Sequence, residues 1–83
     1  MSRQRSLESI QNDEYVTIGE LVRLTGARYS TLKYYSEVGL LLYEQEEENL
    51  TRRYRRIETI AQLERIQSLK EQGLTISQIK STL

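Results

Sequence analysis

The spacing of apolar and polar residues predicts a short helix that begins just after Thr17. Thr17 and Glu20 have the spacing of a capping box, in which the threonine hydroxyl accepts from the third amide of the helix and the glutamate bonds back to the cap. Thr25-Gly26 ends the helix, because glycine readily adopts the left-handed conformation that closes many helices. The apolar side of this helix is expected to consist of Ile18, Leu21, Val22 and Leu24.

A second helix is predicted over residues 29–38, with Gly39 as its stop. One row of this helix is apolar and consists of Leu32, Tyr35 and Val38, with Ala27 just upstream. Because neighbouring helical residues point about 100° apart, Tyr35 is expected in the core and Tyr34 outside it. Two short helices joined by a tight turn that contains glycine indicate a helix-turn-helix.

Two extended segments are predicted after the helix pair, at residues 40–43 and 50–54. The first is an apolar run of three leucines and a tyrosine, and the second leads into a basic stretch. The sequence predicts that they pair as a two-stranded hairpin. Its tip would be acidic, because it contains Glu44, Glu46, Glu47 and Glu48.

Two further helices are predicted towards the end of the chain. The first begins near Glu58 and is marked by apolar residues at every third position, namely Ile60, Leu63, Ile66 and Leu69. Gly73 ends it, and Thr75 and Gln78 form a second capping box that opens the last helix. The predicted fold class is therefore mainly α, a winged helix-turn-helix with a two-stranded β wing and two further helices.

The first residues of the chain differ in character from the rest. Residues 1–14 are polar except for Met1, Leu7 and Ile10, and they show no strong periodicity. We therefore expect a mobile or loosely packed arm over residues 1–14, followed by a folded domain over residues 15–83.

Composition excludes several kinds of function. The 83 residues include no cysteine and no histidine, which removes thiolate metal sites, a cysteine nucleophile and the usual general base. We therefore expect no enzymatic activity, no cofactor and no bound metal. The chain also has no apolar run of the ~20 residues that a membrane span needs and no signal-peptide core, so a cytoplasmic protein is expected.

The zero net charge conceals a strong local polarity. Lysine plus arginine and aspartate plus glutamate each number 12, but residues 43–50 carry four glutamates and residues 51–56 carry four arginines. These arginines could balance the acidic tip across the hairpin, or they could contact phosphates. The pattern of charges therefore carries more information than the net charge.

Several motifs together resemble the winged helix-turn-helix of the MerR family over about residues 15–80. They are Ile18-Gly19-Glu20, Thr31-Leu32-Lys33-Tyr34-Tyr35, Gly39-Leu40-Leu41, Arg52-Arg53-Tyr54 and the apolar spacing of the last two helices. The resemblance implies a bacterial, nucleoid-associated transcription regulator that binds double-stranded DNA as a dimer at palindromic promoter sites. These 83 residues do not include the dimerisation helix and effector domain of full-length members, so either a small protein or the first part of a longer one is expected.

The resemblance also implies that the second helix enters the major groove and that the basic end of the wing lies along phosphates. The expected DNA-binding residues are then Thr17, Arg28, Tyr29, Ser30, Lys33, Tyr34, Arg52, Arg53 and Arg55. Physical chemistry agrees, because Lys33 and Arg52 can neutralise phosphates and the Tyr34 hydroxyl can hydrogen-bond a phosphate or a base. With the motif present, phosphate contact is favoured over charge balance for the arginines.

The wing departs from the family pattern. Tyr43 and Gln45 stand where proline and arginine are usual, the tip is acidic, and one additional residue precedes the helix that contains Ile60.

Two alternatives to a MerR-like transcription regulator stay open. One is a plasmid-partition, excision or chromosome-organising DNA-binding protein, and the other is a protein-interaction module that uses the acidic tip.

Overall fold

The computed structural model describes residues 5–47 and 50–83. Within these residues the helices are α1 (Leu7–Gln11), α2 (Ile18–Thr25), α3 (Tyr29–Glu37), α4 (Arg56–Glu71) and α5 (Ile76–Thr82), and the strands are β1 (Tyr15–Val16) and β2 (Tyr54–Arg55). The mainly helical order with its small antiparallel sheet confirms the predicted fold class, a winged helix-turn-helix. Residues 1–4 of the predicted arm and Glu48 and Asn49 of the predicted tip lie outside the described residues.

Both predicted capping boxes form. Thr17 Oγ1 accepts from the Glu20 amide at 3.2 Å, and Glu20 Oε1 accepts from the Thr17 amide at 2.9 Å. Thr75 and Gln78 repeat this arrangement at 3.2 Å and 2.8 Å. Gly26 follows α2 with φ of 75°, a left-handed conformation that a residue without Cβ adopts at low cost. Local sequence signals therefore determine where α2 and α5 begin and where α2 ends.

One cluster of buried side chains forms the core and receives at least one residue from every described helix. Its members are Ile10, Val16, Leu21, Leu32, Tyr35, Leu40, Leu41, Tyr54, Ile66 and Ile79. Tyr35 is 6% exposed and Tyr34 is 47% exposed, which confirms the predicted division of the two tyrosines. The exposed face of α3 thus lies directly opposite the row that anchors it.

The predicted loosely packed arm is wrong for the described residues 5–14. They contain α1, whose Ile10 is fully buried in the core. The Arg5 guanidinium donates to both carboxylate oxygens of Glu20, at 2.7 Å and 2.6 Å, and also bonds Asp13. A single buried isoleucine in a polar stretch produces no periodicity, so the sequence pattern does not reveal this helix.

The predicted partner of the second extended segment is also wrong. β2 pairs antiparallel with β1, so that Tyr15 faces Arg55 and Val16 faces Tyr54. Residues 40–43 form no strand. Leu40 and Leu41 are both buried although they are consecutive, whereas neighbouring residues of a strand point to opposite faces.

The wing comprises residues 44–47 and 50–53 of the part of the chain that the structure describes, and one bridge pair closes it. Glu44 and Arg53 exchange two backbone hydrogen bonds, of 2.8 Å and 2.9 Å. The wing therefore keeps the place that the sequence predicts, but its described residues form a single bridge pair in place of a full hairpin ladder.

Candidate nucleic-acid interface

The polar face of α3 is open to solvent. Tyr29 and Tyr34 are 55% and 47% exposed, and Ser30 and Lys33 are exposed beside them. Within the described residues, Lys33 makes no ion pair. A lysine without a counter-charge on a rigid helix is available to neutralise a phosphate without first losing a protein partner.

The turn between α2 and α3 is held by its own backbone and by Thr25. The Thr25 hydroxyl donates to the Leu21 carbonyl at 2.7 Å and accepts from the Ala27 amide at 3.2 Å. Arg28 is the N-cap residue of α3, yet its side chain makes no capping bond and is exposed. The turn therefore presents the Arg28 guanidinium at the start of the exposed helix face.

Thr17 differs from the other predicted interface residues, because its hydroxyl oxygen already accepts a hydrogen bond from Glu20. Its side chain is half-buried at the start of α2. The structure thus shows a capping role for Thr17, and its contact with DNA stays a prediction.

Two arginines, one at the end of the wing and one in β2, are held against aromatic rings. The Arg52 guanidinium lies 4.6 Å from the centroid of the Tyr43 ring, and the Arg55 guanidinium lies 5.8 Å from that of Tyr15. Such cation–π contacts hold the planar group by its face. Sequence reasoning did not find Tyr15 or Tyr43 as partners. For Tyr15 no local signal exists, because a pairing between distant segments brings it to Arg55.

Arg55 has a second neighbour at the start of α4. Its Nη1 lies 3.4 Å from Glu58 Oε1, an exposed ion pair. Tyr15 first, and then Glu58, raise the pKa of Arg55, and the group is cationic at physiological pH in any case. Surface pairs of this kind contribute little to stability, so Arg55 can exchange Glu58 for a phosphate at small cost.

Arg56 is separated from the other arginines by its bonds to the backbone. Its Nε donates to the Asp13 carbonyl at 2.7 Å, and its amide donates to the Glu14 carbonyl at 2.9 Å. These bonds tie the start of α4 to the segment that leads into β1. Arg56 thus has a structural role at the start of α4.

The arginines do not balance the acidic tip in the part of the chain that the structure describes. Glu44, Glu46 and Glu47 form no ion pair there with any arginine, and the link between Glu44 and Arg53 is made by their backbones. The Arg53 side chain is exposed and likewise has no acidic partner among these residues. Its charge is therefore free for an external anion.

The described residues contain neither a metal-binding cluster nor a helix that could span a membrane. In residues 5–47 and 50–83, no group of three or more histidine, cysteine, aspartate or glutamate side chains is arranged to hold a metal ion. None of the described helices combines the length and the apolar character needed to cross a membrane.

A helix-turn-helix with a polar second helix and a wing that ends in arginines defines the class of winged helix-turn-helix DNA-binding proteins. The model of the family described as "MerR HTH family regulatory protein" matches residues 16–83. The chain belongs to this family of DNA-binding transcription regulators, which are generally not enzymes. Comparisons with curated proteins and with solved structures give no match. The family match begins at Val16, so α1 and Tyr15 precede it.

Proposed function

We propose that this chain is the DNA-binding domain of a transcription regulator and that it binds double-stranded DNA sequence-specifically. In this proposal α3 enters the major groove with Tyr29, Ser30, Lys33 and Tyr34 towards the bases and phosphates. The wing arginines Arg52 and Arg53, and Arg55 of β2, lie along the DNA backbone. Arg28 and Thr17 contact it beside the turn. As a DNA-binding regulator, the protein would act at the nucleoid in the bacterial cytoplasm.

The observation that carries this proposal is that cations without a protein partner among the described residues lie on the exposed face of α3 and at the wing. Arg5, Arg23 and Arg56 all bond carboxylates or carbonyls of the fold. Lys33 and Arg53, on α3 and at the wing, make no such bond among the described residues. In a chain with zero net charge, general attraction to DNA is weak, so locally free cations have to supply the phosphate contacts.

Two copies on one DNA site fit the proposal best. A single domain of this size covers a short half-site, and adjacent half-sites raise the effective concentration of the second copy without a strong protein interface. We therefore expect weak binding to one half-site and cooperative binding to a palindrome.

The test has two stages. Selection from random duplexes should enrich a defined sequence, and affinity for it should fall steeply as salt rises. Arg53→Gln should then weaken binding to the selected and to a scrambled duplex alike. The slope of log affinity against log salt concentration, the salt slope, should become shallower by about one. Arg65→Gln is the matched control, because Arg65 is equally exposed but lies on α4.

Each stage has an outcome that contradicts the proposal. Failure to enrich any sequence would contradict sequence-specific binding, and salt-independent binding would favour the protein-interaction alternative. Enrichment of tandem direct repeats with cooperative binding would instead indicate a partition, excision or chromosome-organising protein. An equal loss in Arg65→Gln would show that the wing has no special role.

A further inference from the structure

We infer that Tyr43 is a positioning residue for DNA binding: it holds the Arg52 guanidinium at a fixed place relative to α3. This inference rests on the proposed function, because it concerns how a wing arginine meets the phosphate backbone. It assigns a role to the position at which the chain departs from the usual proline of the wing.

The contact between Tyr43 and Arg52 leaves the donors of the arginine available. The guanidinium lies 4.6 Å from the ring centroid, and Arg52 forms no ion pair within the described residues. A carboxylate partner would occupy the N–H groups and cancel the charge. An aromatic face instead restrains the planar group while its N–H groups along the edge stay free for phosphate oxygens.

Tyr43 is in turn packed on Tyr54, a buried residue of the sheet. Its ring centroid lies 5.8 Å from that of Tyr54, at an interplanar angle of 48°. Tyr54 is 0% exposed and belongs to β2, so it is held both by the core and by the pairing with β1. The wing arginine is therefore stacked, through Tyr43, on the best-buried aromatic residue of the fold.

The last link joins Tyr54 to the helix proposed to enter the groove. The Tyr54 and Ser36 hydroxyl oxygens lie 2.7 Å apart, and Ser36 Oγ lies 2.8 Å from the Leu32 carbonyl. Because the Ser36 hydroxyl has one hydrogen and donates it to that carbonyl, the Tyr54 hydroxyl is the donor in the bond between Tyr54 and Ser36. A continuous series of contacts thus runs from Arg52 through Tyr43, Tyr54 and Ser36 to α3.

The physical consequence is a fixed distance between two proposed DNA contacts, the Arg52 guanidinium and the exposed face of α3. An unrestrained arginine on a loop would lose rotamer freedom on binding, whereas a stacked one has already lost part of it. Arg52 and Tyr43 are both half-buried, and such a contact corresponds to at least roughly a two- to fivefold change in an equilibrium constant, the range for exposed pairs. We expect the loss of the Tyr43 ring to weaken DNA binding by about this factor.

A double-mutant cycle tests the inference on the selected duplex. The variants are Tyr43→Leu, Arg52→Gln and both together, with affinity measured by fluorescence anisotropy and stability by thermal denaturation. Tyr43→Leu should weaken binding in the wild-type background and have no further effect once Arg52→Gln is present. Tyr43→Phe should bind as the wild type does, because it keeps the ring face. Leu42→Ala is the neighbouring control, since Leu42 is 84% exposed.

Three results would overturn the inference. One is an equal loss on Tyr43→Leu in both backgrounds, and another is a loss on Tyr43→Phe as large as on Tyr43→Leu, which would mean that the hydroxyl itself contacts DNA. The third is an unchanged affinity in Tyr43→Leu. Should Tyr43→Leu fail to fold, Tyr43→Met supplies a longer, unbranched side chain that can adapt to the site without an aromatic face, and it takes the place of Tyr43→Leu in the cycle. Absence of DNA binding by the wild type would instead contradict the proposed function.

Discussion

The Tyr54 hydroxyl donates a hydrogen bond to Ser36 Oγ, with 2.7 Å between the two oxygens, and thereby joins β2 to α3 inside the core. The two residues are 0% and 5% exposed, so water does not replace either partner when the bond is lost. The Ser36 hydroxyl in turn donates a hydrogen bond to the Leu32 carbonyl oxygen at 2.8 Å. The bond therefore connects the sheet at the base of the wing to the helix whose opposite face is exposed.

Removing one partner of this bond should destabilise the protein. Tyr54→Phe should lower the free energy of unfolding by about 0.5–1.5 kcal/mol, and Ser36→Ala by about 1–3 kcal/mol, because it leaves a buried phenol without an acceptor. The two losses should not add in the double variant. Denaturant unfolding measures this, with Tyr34→Phe as the exposed control. Additive losses would mean that the two hydroxyls act independently.

The two faces of α3 should respond differently to substitution. Lys33→Ala and Tyr34→Ala should weaken DNA binding, with Lys33→Ala also making the salt slope shallower by about one, while the thermal midpoint barely changes. Tyr35→Ala should lose about 3–5 kcal/mol of stability, because Tyr35 is packed in the core. Binding assays and thermal melts on the same samples measure both. A parallel loss of stability and binding in Lys33→Ala would contradict this assignment of the faces.

Ile10 should be needed for stability although it lies before the family match. It is 0% exposed, so Ile10→Ala should cost about 2–5 kcal/mol. Leu7 lies on the same helix but is 44% exposed, and Leu7→Ala should change stability by about 0.5 kcal/mol or less. Chemical denaturation compares the two. Equal, small effects would restore the view of residues 5–14 as a loosely packed arm.

Acid should destabilise the fold through Glu20. The hydrogen bonds from Arg5 hold the pKa of Glu20 below its ordinary range, against the opposing effect of burial. A carboxylate with a lowered folded-state pKa contributes stability that is complete above its unfolded pKa of about 4.3 and is lost as the pH falls through the folded value. Glu20→Gln should therefore be less stable at neutral pH and lose less on acidification.

Stability measured between neutral pH and pH 3 tests the role of Glu20. Glu64→Gln is the control, because Glu64 is exposed on α4 and has no ion pair among the described residues. If Glu20→Gln retains the full acid dependence of the wild type, other carboxylates cause it.

A protein of residues 1–83 should be monomeric without DNA. α5 has seven residues, and its Ile79 is fully buried within the domain, which leaves too short an apolar row for a stable coiled coil. Sedimentation equilibrium at micromolar concentration should give the monomer mass, and a duplex with two half-sites should bind two copies cooperatively. A tight dimer without DNA would reveal an interface elsewhere, with residues 1–14 as the first place to search.

The sequence alone determined the elements whose signals are local. The capping boxes at Thr17 and Thr75, the stop at Gly26 and the row of Leu32 and Tyr35 each depend on residues within one or two helical turns, so α2, α3, α4 and α5 and the exposed face of α3 could be predicted. The winged helix-turn-helix class followed from the order of these elements, and the family match confirmed it.

Only the tertiary structure decided the contacts between segments that are far apart in the chain. The pairing of β1 with β2 brings Tyr15 to Arg55, and the burial of Ile10 turns a polar stretch into a packed helix. Neither leaves a periodic pattern, because a two-residue strand and one buried side chain are too short to repeat. For the same reason, only the tertiary structure shows that arginines of one basic run make different contacts. Arg56 donates to a backbone carbonyl, whereas Arg52 stacks on an aromatic ring.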